Sequence, residues 1–152
     1  MCGADFPVSV RISADEFVEG GLKLPESVKI ARTLESLGID AINVSSGTYE
    51  SATTIIEPGS YPQGWKKHLA TEIRKNVKIP VIAVNNIKDP QTAVQLLDDG
   101  VCDFVGVARG HLADPNWVNK ARDGKSDQIR KCIGCLICFA ELNQGRHTKC
   151  AV

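Results

Sequence analysis

Short apolar runs alternate with helical patterns along most of this chain, and the alternation limits the folds that the chain can adopt. Each run is too short for a helix and is rich in β-branched residues, as is typical of buried parallel strands. The four predicted strands are Pro7–Ile12, Ala41–Ser45, Pro80–Val84 and Phe104–Ala108. Strand–helix alternation of this kind predicts an α/β fold with a parallel sheet covered by helices.

Helical patterns occupy the segments between the strands. Leu24–Leu37 has Pro25 at an early helical position, and Gly38 follows as a stop. A second helix is predicted over Trp65–Val77, a third between the capping residue Asp89 and Gly100, and a short one around Pro115–Ala121. The predicted inward positions are Val28, Ala31, Leu34, Leu37, Trp65, Leu69, Ile73, Val77, Ala93, Val94 and Leu97.

Four βα units are half of an eightfold barrel, so we expect a partial (β/α)8 TIM barrel over residues 1–130. A doubly wound sheet would give the same periodicity. The first strand begins almost at once after Met1–Asp5, which suggests a fragment or a product without the first barrel half. Two open sheet edges and an exposed barrel interior predict a homo-oligomer, or association with the missing barrel half.

A cysteine-rich module follows over residues 131–152. Its spacing is C-x2-C-x2-C-x11-C, formed by Cys132, Cys135, Cys138 and Cys150. Thiolates gathered this closely most simply hold an iron–sulfur cluster or a zinc ion. Disulfides or inert buried thiols are the alternative. No secretory signal or hydrophobic span precedes the module, so we expect a reducing, cytoplasmic location.

The charge balance excludes some classes of partner. Lys and Arg together number 18, as do Asp and Glu, so the net charge is zero, which argues against a broad nucleic-acid or membrane footprint. No stretch approaches the roughly 18 apolar residues needed to span a bilayer. Cys2 and Cys102 are interpreted as buried or incidental thiols.

Polar residues stand at the carboxyl ends of the predicted strands, where parallel β/α folds bind ligands. Arg11 lies inside a buried run, so it needs an anionic or polar partner. A ligand contact is favoured over a structural salt bridge. The sequence around Ser45 is small and polar, and a long loop follows it. At the fourth strand end, backbone N–H groups and Arg109 suit a phosphate.

The strand-end motifs together resemble one family. Val10-Arg11-Ile12-Ser13-Ala14, Asn43-Val44-Ser45-Ser46-Gly47 and Ala108-Arg109-Gly110-His111-Leu112-Ala113-Asp114-Pro115 resemble the second half of Old Yellow Enzyme-type NADH:flavin oxidoreductases. The motif Cys132-Ile133-Gly134-Cys135 resembles one found in the iron–sulfur branch of that family, which includes 2,4-dienoyl-CoA reductases and enoate reductases. The likeness covers essentially the whole chain.

The resemblance implies an FMN-binding barrel followed by a [4Fe-4S] module. Arg11 would contact the pyrimidine edge of FMN, with Ser45 in the same cofactor site, and Ala108 and Arg109 would hold the phosphate. Asn85 and Asn86 would lie on the other phosphate loop, although dienoyl-CoA reductases carry an arginine at the position of Asn86. The cluster ligands would be Cys132, Cys135, Cys138 and Cys150, but the family usually has one more residue before the third cysteine.

The resemblance also implies a reaction. The parent protein would reduce an activated carbon–carbon double bond of an enoate or acyl-CoA type, with NAD(P)H as the electron donor. Tyr49 aligns with a substrate-facing histidine and would donate a hydrogen bond or proton, with a packing role as the alternative. The isolated chain is expected to be inactive and to bind FMN poorly. The rival hypotheses are a non-catalytic cluster-binding half-barrel, used in assembly or electron transfer, and a phosphate-binding half-barrel with structural zinc.

Overall fold

A computed structural model describes residues 3, 5–84 and 86–152 of the chain. Within those residues a single sheet contains four strands: β1 (Ser9–Ser13), β2 (Ala41–Ser45), β3 (Val81–Val84) and β4 (Phe104–Gly106). The strands lie side by side in chain order, and every neighbouring pair is parallel. A doubly wound sheet would reverse its order part-way across. The unbroken order therefore identifies four consecutive units of a (β/α)8 barrel.

Helices follow each strand, as predicted. They are α1 (Leu24–Ser36), α2 (Ala52–Ile55), α3 (Lys67–Asn76), α4 (Pro90–Asp98), α5 (Arg109–Ala113), α6 (Trp117–Arg122) and α7 (Ile137–Asn143). The predicted cap of α4 is confirmed, because the Asp89 carboxylate accepts a hydrogen bond of 2.9 Å from the backbone N–H of Thr92. Gly38 adopts a φ of 87° just beyond α1, which explains why this helix ends where it does.

The two faces of the sheet have different environments. Alternate residues of β2 and β3 are fully buried under the helices, where Ile42, Val44 and Val81 pack with Leu69 and Ile73 of α3. The opposite face corresponds to the barrel interior. Because successive strand residues point to opposite faces, this face carries the polar and glycine positions that line the cleft described below.

Three predicted inward positions are wrong. Leu37 is 74% exposed because it lies past the last residue of α1. In α4, Val94 and Leu97 are exposed, and Leu96 is buried beside Ala93 instead. The buried stripe of this nine-residue helix is centred between Ala93 and Leu96, so the 3.6-residue period turns Val94 toward solvent and Leu97 to the flank.

The cysteine module packs against the end of the barrel units and contains α7, which the sequence pattern did not indicate. Cys102 is buried, as predicted, and Cys2 lies outside the described residues. Each cysteine between residues 5 and 152 is a free thiol. None of the described helices combines the length and the apolar character needed to cross a membrane.

Candidate functional site

A cleft of about 650 Å³ opens at the carboxyl ends of the four strands. Five of the residues predicted to bind a cofactor line it: Arg11, Ser45, Asn86, Ala108 and Arg109. The sixth, Asn85, lies outside the described residues. The parallel register places these residues together although they are far apart in the chain, because every strand ends at the same edge of the sheet.

Arg11 lies on the interior face of β1, opposite Asn43 of β2. Its guanidinium donates hydrogen bonds of 2.8 Å to Oδ1 of Asn43 and 2.9 Å to Oγ of Ser45. No carboxylate pairs with Arg11 in the part of the chain that the structure describes, so a structural salt bridge is not its role there. Two neutral groups orient the side chain, and its positive charge stays available to a ligand in the cleft.

A buried carboxylate joins two cations at the floor of the cleft. Glu57 lies in the loop between α2 and α3, and its carboxylate is 2.5 Å from Nζ of Lys66 and 3.1 Å from Nη2 of Arg109. Arg109 also donates a hydrogen bond of 2.6 Å to the backbone carbonyl of Glu57, and Lys66 donates one of 2.6 Å to the carbonyl of Thr54. The side chains of Glu57 and Lys66 are each only 4% exposed.

Sequence reasoning missed this network. Glu57 and Lys66 lie in a long loop and at a helix start, where no periodicity marks burial. The finding also changes the expected role of Arg109, because its guanidinium already binds an internal carboxylate as well as lining the cleft. A phosphate at this arginine would share it with Glu57.

The electrostatics of the cleft favour an anion. Burial lowers the pKa of Lys66, and the positive charges of Arg11 and Arg109 act in the same direction, whereas the Glu57 carboxylate opposes them. The permanently charged guanidinium groups of Arg11 and Arg109 already outnumber the single carboxylate of Glu57 among the residues that line the cleft. This excess suits a phosphate or another anionic group.

Asn86 follows β3 and adopts a left-handed backbone conformation with a φ of 53°. Asparagine tolerates this conformation better than most residues. Its side-chain amide donates a hydrogen bond of 2.8 Å to the carbonyl of Tyr61, which anchors the long loop after β2 to the end of β3.

The four cysteines of the module line one small cavity next to the cleft. Cys132 and Cys138 also line the cleft itself, and Arg109 borders both spaces. Among residues 3, 5–84 and 86–152, no three His, Cys, Asp or Glu side chains are close enough together to hold a single metal ion. The four cysteines are free thiols that line this shared space.

A local backbone turn lies within the shortened spacing between the second and third cysteines. Leu136 adopts a left-handed conformation with a φ of 62° and immediately precedes α7, which begins at Ile137. This turn brings Cys138 to the same cavity as Cys132 and Cys135. Cys138 therefore lines the same cavity as the other three cysteines despite the one-residue difference from the family pattern.

Tyr49 is the one predicted site residue in the described part of the chain that the structure keeps apart. Its side chain is 91% exposed, and it does not line the cleft. Its role in catalysis stays a prediction.

Comparison with known proteins gives matches along the chain. The family model described as NADH:flavin oxidoreductase / NADH oxidase matches residues 1–128. The chain is 50% identical over 135 residues to an NADH oxidase of Thermoanaerobacter brockii, a match covering 89% of this chain and 21% of the relative. It is 30% identical over 166 residues to a cinnamate reductase of Clostridium sporogenes, covering 99% of this chain and 25% of the relative.

Among solved structures, a 2-naphthoyl-CoA reductase in complex with 2-naphthoyl-CoA superimposes with a TM-score of 0.91 and 26% identity, over 97% of this chain and 23% of that protein. A histamine dehydrogenase from Rhizobium sp. 4-9 gives a TM-score of 0.87 with 28% identity, over 98% of this chain and 21% of that protein. The chain thus spans about a fifth to a quarter of the length of these relatives.

Proposed function

The chain belongs to the NADH:flavin oxidoreductase / NADH oxidase family, and from this membership we propose that it forms part of an oxidoreductase that uses FMN and a [4Fe-4S] cluster to reduce activated carbon–carbon double bonds. One observation carries the proposal. The cleft with the predicted flavin-binding residues and the cavity with four thiols are neighbours, and Cys132, Cys138 and Arg109 border both.

FMN fits the residues of the cleft. Arg11, oriented by Asn43 and Ser45, would present its remaining N–H donors to the electron-rich pyrimidine edge of the flavin. The phosphate would take the backbone N–H groups at Ala108 and Arg109, since the first N–H groups of a helix have no acceptor within it. Bound FMN supplies hydride transfer, and a cluster supplies single electrons.

The number of cysteines supports the proposed cluster. Cys132, Cys135, Cys138 and Cys150 match the four thiolates that a [4Fe-4S] cluster takes. Their shared border with the flavin cleft would keep the two electron carriers close together.

The substrate class is inferred from the relatives. Cinnamate and 2-naphthoyl-CoA, named for two of them, are an unsaturated acid and an aromatic thioester. The positive charge of the cleft supports an anionic enoate or an acyl-CoA for this chain, with NAD(P)H as donor, in line with the NADH oxidase among the relatives. Tyr49 would serve the substrate only if its loop turned toward the cleft.

A further barrel half is also proposed. β1 and β4 each have one neighbour in the described sheet, and Phe104 of β4 is 58% exposed. Unpaired strand edges with apolar side chains favour association. We infer that four more βα units, from further polypeptide or from a second copy, close the barrel. Light scattering and a fluorescence titration with FMN on the purified chain test this, and a stable monomer that binds FMN with micromolar or tighter affinity would contradict it.

The experiment for the whole proposal is an anaerobic purification followed by a visible spectrum with assays of iron, labile sulfide and flavin. We expect iron–sulfur absorption and flavin bands in the protein at its natural length. A colourless protein with one zinc per chain would overturn the cluster. Iron–sulfur absorption without flavin binding would favour the non-catalytic electron-transfer module. A Cys132→Ser variant is the matched control, because it should lose the iron absorption and keep the flavin bands.

A further inference from the structure

Two glycines from distant parts of the chain meet backbone to backbone beside the cysteine cavity. Gly59 lies in the loop between α2 and α3, and Gly134 lies between Cys132 and Cys135. The backbone N–H of Gly59 donates a hydrogen bond of 3.0 Å to the carbonyl of Gly134. This bond joins the barrel loop directly to the segment that carries the first two thiols.

The contact leaves no room for a side chain on either partner. A Cβ on Gly59 would lie 2.4 Å from the carbonyl oxygen of Ile133, and one on Gly134 would lie 2.6 Å from the backbone nitrogen of Gly59. Real Cβ contacts essentially never fall below 3.0 Å, so one backbone would have to move. Gly59 does not have a positive φ, and only the close approach requires a glycine there.

The same loop also holds a residue of the flavin cleft. Glu57, two positions before Gly59, binds Arg109 through both its carboxylate and its backbone carbonyl. Arg109 borders the cleft and the cysteine cavity. Residues 57–59, which we name the strut loop, therefore contact both parts of the site within three residues.

We propose that the strut loop is a positioning element, and that Gly59 and Gly134 fix the place of the cysteine segment relative to the cleft. The inference deepens the proposed function, because it rests on the four cysteines holding a [4Fe-4S] cluster. Backbone contacts of this kind set the orientation of metal ligands without touching the metal, as surrounding groups do in other metal sites.

The test compares three glycine-to-alanine variants of the protein at its natural length, purified anaerobically. Gly59→Ala and Gly134→Ala should release iron to a chelator about tenfold faster than the unchanged protein, the usual size of an effect on a metal site's surroundings. They should also shift the EPR spectrum of the reduced cluster, which a general loss of stability would not do.

Gly145→Ala is the matched control for Gly134→Ala. Gly145 lies in the same module and has a φ of 66°, close to the 69° of Gly134, so alanine is equally strained at both positions. A Cβ on Gly145 would meet nothing within 4 Å. This variant should therefore release iron at the rate of the unchanged protein. An equal acceleration in Gly145→Ala and Gly134→Ala would overturn the inference, since backbone strain alone would then explain it.

A measurement on the unchanged protein covers the case in which a variant does not fold. Removal of iron should increase hydrogen exchange at the amide of Gly59, because the acceptor carbonyl of Gly134 would lose its fixed place. Unchanged exchange in a protein that does lose iron would refute the strut loop alone. A protein that contains no iron or labile sulfide before any treatment would refute the cluster, and the inference with it.

Discussion

Removal of the Glu57 carboxylate should destabilise the fold more than removal of its partner Lys66. Glu57 is the only acid in the buried network of the described cleft, and it faces Lys66 at 2.5 Å and Arg109 at 3.1 Å. Glu57→Gln removes the negative charge and leaves the Lys66 ammonium, 4% exposed, with neutral oxygen acceptors only, namely the new side-chain amide and the carbonyl of Thr54. Lys66→Met instead leaves Glu57 paired with Arg109, whose side chain is 20% exposed.

The magnitudes follow from this asymmetry. An uncompensated buried charge costs about 3–5 kcal/mol of unfolding free energy, so Glu57→Gln should fall in that range. Loss of one of two partners of a buried polar group lowers the unfolding free energy by about 1–3 kcal/mol, and we expect a loss of this size for Lys66→Met. The double variant should be more stable than Glu57→Gln alone, because it removes both the carboxylate and the ammonium that depends on it.

Urea denaturation of the purified chain measures the three unfolding free energies. Asp99→Asn is the control, because Asp99 and Lys67 form an exposed pair at 3.7 Å, which should contribute about 0–1 kcal/mol. Equal losses for Glu57→Gln and Lys66→Met would refute the reasoning. Additive losses in the double variant would show that the two side chains do not depend on each other.

Three further predictions concern the cluster ligands, the FMN phosphate and the acid stability of the fold. Cys138→Ser should lower cluster occupancy as much as Cys132→Ser, as measured by iron and sulfide content; full occupancy in Cys138→Ser would remove that residue from the ligand set. Arg109→Ala should weaken FMN binding more than Asn86→Ala in a fluorescence titration of the full-length protein, since charged hydrogen bonds are about twice as strong as neutral ones; equal losses would place the phosphate elsewhere. The hydrogen bond from Lys120 of α6 is the main cause that lowers the pKa of Asp114 to about 2. Asp114 should therefore stabilise the fold fully above about pH 4, and this contribution should be lost as the pH falls through about 2. Asp114→Asn should flatten the acid side of the stability profile between these values, and an unchanged profile would contradict the assignment.

Local pattern predicted the framework of the site. β2 begins and ends at the predicted residues, the Asp89 cap is confirmed, and Leu69 and Ile73 of the predicted α3 stripe are buried. Periodicity reports burial along one element, so it succeeds wherever one element packs on one face. The same reasoning placed Arg11, Ser45, Asn86 and Arg109 at strand ends, and parallel strands necessarily bring those ends together.

The cysteine spacing likewise predicted a shared thiol site from the sequence alone. The four cysteines line one cavity, and the cluster or metal ion expected there stays a prediction. The left-handed turn at Leu136 could not be read from the sequence, because leucine rarely adopts it and the surrounding packing imposes it. The same limit applies to α4, where tertiary contacts rather than the apolar pattern chose Leu96 over Val94 and Leu97.

The amino-acid sequence by itself determined the order of strands and helices, the strand ends that line the cleft and the set of thiols. Only the tertiary structure decided that Glu57 lies against Arg109, which is 52 positions away, and that Gly59 meets Gly134. Both contacts involve the long loop after β2. The path of such a loop depends on distant surfaces that fold against it, and its residues carry no repeating pattern from which that path could be predicted.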